Sequence, residues 1–546
     1  MEDFVLSSYQ DAETAAKESR SPDSWSETDM HTWLLEQVSD IAPRAKVNPA
    51  VDLFQQGFDS LYAASLRLRI VNVLYRSQNP KHHEVAKSLS QNLIYSFPVI
   101  NDLAAFISSR LNSPNDLQSN IASRDALAME TMINKYSSGF DFPLPPSPKT
   151  NVPSPLVVLL TGSTGNLGSQ ILAKLLKDVR VEKVYAYNRP SQNGTKTMFQ
   201  RHLEKFEEVE LDVTLLKSGK LTFISGDAAK LDLGLVRDLY SLLSQTVNVV
   251  IHNAWRLDFN ISLESYEPNI QGIRHLVDLI RSGPRPLDAR FLFVSSIGAV
   301  QNWDRSKGLV PEDAFEDVSV ALGGGYGEAK HVAERILHKS GLQTLVFRVG
   351  QIIGGPPRGV WPASAIPLAS GLASWLYAET ISAAIVDLAL SKLSTPLPRA
   401  LNLVHPRPVL QSDITRSIAK AVANILGHDL KLVPFRQWLS ILEKLAEDAT
   451  VGETWVDIVR TFSNSKWANE KTFFQPAIKL LEFFRRYANA EADDSATQSE
   501  AGGLPRLSTE KVQRISQFMR SENLQQIGDN DAMLWVSYWQ SIGFIN

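Results

Sequence analysis

The chain has 546 residues, 44% hydrophobic and 21% charged, with a formal net charge of -4 and no cysteine. So small a charge gives no global attraction to nucleic acid or acidic membranes, and no apolar run is long enough for a transmembrane helix. Without cysteine there are no disulfides, thiolate metal sites or cysteine nucleophiles, so any thiol chemistry must be imported. The acidic start Met1-Glu2-Asp3 lacks the regions of a signal peptide, and with the missing cysteines it sets the expectation of a cytoplasmic protein. The length suits roughly two to four domains.

In chain order, residues 1–25 are polar and aperiodic and read as a disordered leader. Ser26-Glu27-Thr28-Asp29 then opens a helix with Met30, Leu34, Val38 and Ile41 on one face. Next comes Asp52-Leu53-Phe54-Gln55-Gln56-Gly57-Phe58-Asp59-Ser60-Leu61, a glycine turn followed by a helix-forming run to Leu74. Ser60 thus stands beside a carboxylate at a helix N-terminus, where unpaired N–H groups favour anionic groups; a plain helix cap would use the same residue types. A third apolar helix surrounds Ile100, Leu103 and Phe106, so 26–112 is a small all-α bundle. Residues 113–155 read as a linker, first a polar helical segment and then the proline-rich stretch Pro143 to Pro155, which favours extended polyproline II.

From Leu156 short apolar strands alternate with helices: Leu156–Thr161, Lys183–Asn188, Leu221–Ser225, Val247–His252, Arg290–Ser295 and Thr344–Arg348. This rhythm predicts an α/β fold over 156–403, a doubly wound parallel sheet with helices on both faces. After Gly354 apolar helical stretches with tryptophans dominate, giving a mostly helical C-terminal lobe over 404–546 with parts of 355–400. Ala488 to Pro505, acidic and rich in small residues, reads as a flexible loop.

Between the first strand and the next helix lies Thr161-Gly162-Ser163-Thr164-Gly165-Asn166-Leu167-Gly168. At such a junction the first glycine permits the tight turn, the second lets backbone approach a pyrophosphate, and the third allows close helix–strand packing. The second strand ends in Asn188-Arg189 rather than in the acidic residue that binds the ribose hydroxyls of NAD. A guanidinium suits a 2′-phosphate, so NADPH is the expected cofactor, with Arg201 as a second candidate contact.

Tyr326 and Lys330 stand four residues apart on one helix face, where an ammonium can lower the pKa of a phenol that passes a proton to an oxyanion. Ser295-Ser296 ends the fifth strand, at the edge where doubly wound sheets bind ligands.

The glycine loop, the serine-ended strand and the Tyr–Lys pair, in this order, resemble the extended short-chain dehydrogenase/reductases (Rossmann type) over Leu156 to Leu403. That resemblance implies catalytic roles for Ser296, Tyr326 and Lys330, with Ser295 the less favoured serine. It also places Asp227 and Ala228 near the adenine, and Asn253, Ala254 and Trp255 over the nicotinamide ribose. Val349 is expected under the nicotinamide, and His252 as a packed strand-end residue.

The segment around Ser60 resembles the phosphopantetheine attachment site of carrier proteins, which implies a four-helix thiolation domain with 4′-phosphopantetheine on Ser60. Carrier and reductase together resemble the end of nonribosomal peptide synthetase-like carboxylate reductases of the aminoadipate reductase type. The ending Trp535-Val536-Ser537-Tyr538-Trp539-Gln540-Ser541-Ile542-Gly543-Phe544 is similar to theirs as well. The resemblance implies NADPH-dependent release of the arm-bound acyl thioester as an aldehyde or, by a second reduction, as an alcohol. Its partners would be a phosphopantetheinyl transferase and an adenylation domain, in cis or in trans, with no nucleic acid and no membrane. The alternatives are a polyketide synthase terminus with the same two domains, and a non-catalytic nucleotide-sensing interaction protein.

Overall fold

Ser26 caps the first described helix, its hydroxyl accepting the Asp29 N–H at 3.2 Å. The structure, a computed structural model, describes residues 22, 24–42, 47–58, 60–89, 93–112, 117–144, 156–191, 194–259, 261–361, 371–391, 398–430, 432–448, 484 and 499–545. The expected leader and most of the proline-rich stretch lie outside these residues. The chain divides into two compact units, the first up to residue 124 with 259–265 and 436–486, the second holding the rest.

The first unit contains helices α1 (Glu27–Ile41), α2 (Ser60–Tyr75), α3 (Pro80–Ser88) and α4 (Ile100–Asn112). Met30, Leu34, Leu53, Leu66, Ile70, Leu103 and Ile107 form its core. Apolar periodicity pointed to three of these helices. The remaining one, α3, is signalled by its start: Asn79 caps the Lys81 N–H at 3.1 Å and Pro80 takes the first turn. Ahead of α2, Gly57 takes φ +96°, and the Phe58 N–H returns to the Leu53 carbonyl at 3.0 Å. Asp59 and the side chain of Ser60 lie outside the described residues.

Helix α5 (Leu117–Ser137) occupies much of the stretch read as a linker. Met129 and Ile133 on it are fully buried, and near its end Tyr136 and Lys135 bond Glu267 at 2.8 and 2.6 Å. In the second unit follow β1 (Leu156–Thr161), α6 (Asn166–Lys177), β2 (Val181–Asn188), α7 (Met198–Glu208), β3 (Leu221–Ser225), α8 (Arg237–Thr246), β4 (Val249–His252), α9 (Glu267–Arg281), β5 (Arg290–Ser296), α10 (Gly325–Lys339) and β6 (Gln343–Val349). Helix α11 (Ala378–Leu390) and strand β7 (Ala400–Leu403) complete the sheet layer.

The seven strands are all parallel, in the order β7-β6-β5-β4-β1-β2-β3. The order reverses between β1 and β4, the switch point where such sheets bind ligands beyond their carboxyl ends. The six expected strands are present with ends moved by at most two residues, β4 starting at Val249 instead of Val247. Edge strand β7 was not expected; four residues after a proline-rich stretch are too short to show a period.

In the C-terminal lobe Trp361, Trp375, Trp535 and Trp539 share a core with α12 (Gln411–Leu426) and α13 (Asp529–Ser541). Indole N–H groups of Trp535 and Trp539 donate to the Gly354 and Trp361 carbonyls at 2.6 and 2.8 Å, which satisfies those two buried donors. The loop expected over 488–505 needs correcting at its described end. Glu500 is buried, accepts the Ser374 hydroxyl at 2.5 Å, and bridges Leu372 and Leu504, so hydrogen bonding overrides the loop-like composition.

Candidate active site

Four strand ends converge at the switch point. At the end of β1, Gly162 takes φ +71°, and a side chain there would lie 2.8 Å from the Ala254 nitrogen, so this turn requires glycine. The Thr161 hydroxyl accepts the N–H groups of Asn253 and Ala254 at 3.1 and 3.0 Å and donates to His252 Nδ1 at 2.8 Å. Asn253 itself donates from its side chain to the Gly162 carbonyl at 3.1 Å. The end of β4 is thereby stitched to the glycine loop. His252, stacked on Phe293 and pushed down to about 3 by burial, is neutral packing.

The loop itself fits a dinucleotide. Gly165 caps α6 without any side-chain hydrogen bond, and a Cβ on it would meet only the Gly162 carbonyl, at 3.5 Å. The protein leaves that space free, next to unpaired helix-start N–H groups suited to a pyrophosphate. Gly168, in contrast, packs directly against the Gly162 backbone, and the Leu167 side chain belongs to the core, so Leu167 and Gly168 can face a ligand through backbone alone, whereas Asn166 at the helix start is only partly buried.

Two of the expected cofactor residues are engaged with each other. Asn188 donates to Ser163 Oγ at 2.8 Å, Ser163 bonds His202 Nε2 at 2.8 Å, and His202 Nδ1 donates to the Met198 carbonyl at 2.8 Å. His202, fully buried and pushed down to about 4, was not anticipated from the sequence. Nearest the solvent stand Arg189, exposed, and Arg201, whose guanidinium donates to the Arg189 carbonyl at 2.7 Å and to Thr164 Oγ1 at 3.3 Å. At the end of β3 the Asp227 carboxylate caps the Ala229 N–H at 3.2 Å and the Ala228 carbonyl bonds His275 at 2.8 Å, so both serve the turn.

At the other end of the cleft, sheet register separates the two serines. Ser295 pairs with Arg348 and Ser296 with Val349, so each pair shares a face. Ser295 donates to Glu334 at 2.6 Å, and Arg348 forks onto the same carboxylate at 2.7 and 3.1 Å, all of it buried. Ser296 is left on the opposite face, accepts the Gly298 N–H at 3.1 Å, and neighbours the Tyr326 phenol closely enough to lower its pKa. Helix α10 approaches this closely because Gly327 lies flush on the Gly298 carbonyl, where a Cβ would overlap.

One turn on, Lys330 is buried and donates to the Val294 carbonyl at 2.7 Å. Burial pulls the ammonium well below its usual range, and the nearby Glu334 charge opposes that fall. The expected lowering of the Tyr326 phenol by this lysine does not occur. Burial pushes it up to about 12, and only the neighbouring Ser296 hydroxyl pulls it back. The phenol is therefore a protonated donor across the neutral range. Glu334 and Arg348 are further residues the sequence reading missed, although Glu334 lies four residues beyond Lys330 on the same helix face. Among the described residues no cluster of His, Asp and Glu suited to a metal is present, and no helix is long and apolar enough to cross a membrane.

Comparison with known proteins fits this geometry. Residues 160–388 match the family described as "Male sterility protein", an NAD-binding domain. The chain is 40% identical, over 99% of its length and 49% of the relative's, to an adenylate-forming reductase of Serpula lacrymans var. lacrymans. It is 31% identical, over 77% of its length and 41% of the relative's, to a carboxylic acid reductase of Neurospora crassa. The chain thus spans about half the length of the curated relatives it matches. The fold resembles a thiolation-reductase di-domain from an archaeal non-ribosomal peptide synthetase (TM-score 0.58, 15% identity, 97% of this chain and 100% of the other). It equally resembles the terminal R domain of the myxalamid pathway (TM-score 0.58, 20% identity, 77% of this chain and 99% of the other). Residues 160–388 thus resemble the NAD-binding domain described as "Male sterility protein", within a chain similar along 99% of its length to an adenylate-forming reductase.

Proposed function

We propose that this chain releases an acyl thioester reductively, as an aldehyde, from a 4′-phosphopantetheine arm on Ser60. The observation that carries the reading is the placing of Ser296, at the end of β5, beside the buried Tyr326 phenol, with Lys330 buried one turn behind it. When bound, the reduced nicotinamide supplies the hydride that converts the thioester carbonyl carbon to the aldehyde level. Ser296 holds the carbonyl oxygen by hydrogen bond, and Tyr326, kept protonated by its burial, gives its proton as charge builds there. Lys330 stabilises the phenolate left behind. In the resulting hemithioacetal the hydroxyl proton passes to sulfur as the C–S bond breaks, releasing the aldehyde and the free thiol arm.

NADPH is the cofactor this reading requires, because the end of β2 offers Asn188, Arg189 and Arg201 and no carboxylate. Arg201 is held between Thr164 and the Arg189 carbonyl, which preorganises a guanidinium for a 2′-phosphate. Val349, Asn253, Ala254 and Trp255 line the nicotinamide end, and the Asp227-Ala228 turn the adenine end. The relatives' names imply that an adenylation domain loads the arm, and arm attachment requires a phosphopantetheinyl transferase.

The test is Tyr326→Phe, which keeps the ring and removes the proton. Thioester-dependent NADPH oxidation should fall by about 10²–10⁴, with the fold and NADPH affinity retained. Full activity in the folded variant would refute the mechanism. Loading with coenzyme A and a phosphopantetheinyl transferase should add one arm by intact mass, and Ser60→Ala should abolish it.

A further inference from the structure

The surroundings of Lys330 are unusual for a buried cation. Among the described residues its nitrogen has one carbonyl partner, Val294 at 2.7 Å, and no carboxylate in salt-bridge contact. What surrounds it instead are ring faces: Trp255 at 4.1 Å, Phe293 at 4.6 Å and Tyr326 at 5.8 Å. The Phe293 and Tyr326 rings come from the same strand and helix that carry Ser296 and Lys330. Trp255, the nearest face, comes from the loop leaving β4. It is held in place by stacking on Tyr266 at 6.2 Å and 16°, and Tyr266 in turn meets Tyr326 edge-on at 6.1 Å. Tyr266 is fully buried, its hydroxyl bonded to the Asp258 carbonyl.

Resting on the mechanism above, we infer that Trp255 is a positioning residue, completing an aromatic cage that keeps the Lys330 ammonium charged and seated beside Tyr326. An ammonium removed from water is costly unless something replaces its hydration, and an aromatic face does so through its quadrupole without adding a group that would take the proton. The other groups facing Lys330 are His252 from β4, which is neutral, Tyr326 and Glu334 from its own helix, and the Val294 carbonyl from β5. Of these only Glu334 is an anion, and its carboxylate is committed to Arg348 and Ser295. The cage therefore decides how far up the pH scale Lys330 stays protonated.

The experiment is the pH dependence of kcat/KM for a pantetheine thioester, in the full chain with NADPH, for wild type, Trp255→Phe and Trp255→Leu. Loss of the ring face should move the alkaline limb of the Leu variant down by about one pH unit, the scale of a buried cation–π contact. It should also cut the rate several-fold at pH 8, and Phe should restore most of both. Equal losses in Phe and Leu at every pH, or an unmoved limb in Leu, would overturn the inference, since a space-filling tryptophan predicts either. Trp255→Met provides the same comparison if Leu folds poorly. Tyr326→Phe measured alongside separates the two proposals. An active Tyr326→Phe removes the reductase mechanism, whereas an inactive one with an unmoved limb in Trp255→Leu removes only the cage.

Discussion

The two ends of the cofactor cleft hold their polar groups in different ways. At the ends of β5 and β6, Ser295, Glu334 and Arg348 form a buried network, and Ser296, proposed to meet substrate, stands on the face opposite to it. Next to β1 and β2, a buried chain of Asn188, Ser163 and His202 lies beneath two arginines that reach solvent. At the first end the ion pair is structural, and of the proposed catalytic groups Ser296 and Tyr326 are neutral while Lys330 is faced by ring faces instead of a paired carboxylate. At the second the structural layer is neutral, and the charges are left on the surface for a ligand. A buried charge must be paired to be tolerated, and a paired charge is unavailable to a ligand, so the ends are organised by what each must leave unpaired.

The sharpest way to break this comparison is to remove one half of the buried pair. Arg348→Met would strand Glu334 in the core with Ser295 alone, at a cost of about 3–5 kcal/mol, read as a lower urea midpoint for the reductase unit. Adding Glu334→Leu should recover most of that loss, since an apolar pair of similar volume is often as stable as the ions it replaces. A double variant no better than Arg348→Met would show that the network does more than neutralise its own charge.

The surface charges answer to a different measurement. Arg201→Ala should weaken NADPH binding by about 1.5–3 kcal/mol, the scale of a hydrogen bond to a charged group, with fluorescence titration as the readout. Arg189→Ala should cost less, because the exposed Arg189 side chain must be ordered on binding and the braced Arg201 need not be. NADH affinity should barely change in Arg189→Ala. An equal loss for both cofactors in both variants would mean that neither arginine reads the 2′-phosphate.

The same contrast explains what could be read from the sequence. Glycine spacing, Ser296 and the Tyr326–Lys330 interval are local patterns fixed by backbone geometry, and they sit where the switch point requires. The strands were legible because each is a short apolar run, except β7, whose four residues carry no period. The bracing was not legible. Glu334 meets Arg348 across a helix–sheet interface 14 positions along the chain, and Ser163 meets His202 across 39. Nothing local marks a histidine on an otherwise charged helix as a fully buried partner. The fate of Asn188 followed from that omission, since its amide, expected to serve the cofactor, belongs to Ser163.

The neutral layer makes the last prediction, through pH. His202 donates from Nδ1 to Met198, so its Nε2 must accept from Ser163, and a second proton would put two donors face to face. Burial accordingly pushes it down to about 4 from an ordinary value near 6.5. Because the folded value is the lower one, the unfolded chain takes up the proton first as pH falls. The contribution of His202 to stability is thus fully present above pH 6.5 and is lost between there and about pH 4, amounting to about 2 kcal/mol between pH 7 and pH 5. His202→Gln removes this titration and keeps a polar acceptor near Ser163, while the low-titrating His252 and His331 remain in both proteins. Wild type should be the more stable at pH 7, and its advantage in urea midpoint should shrink by that amount at pH 5. A constant gap would mean that His202 is not held neutral, and that the layer beneath the two arginines carries charge after all.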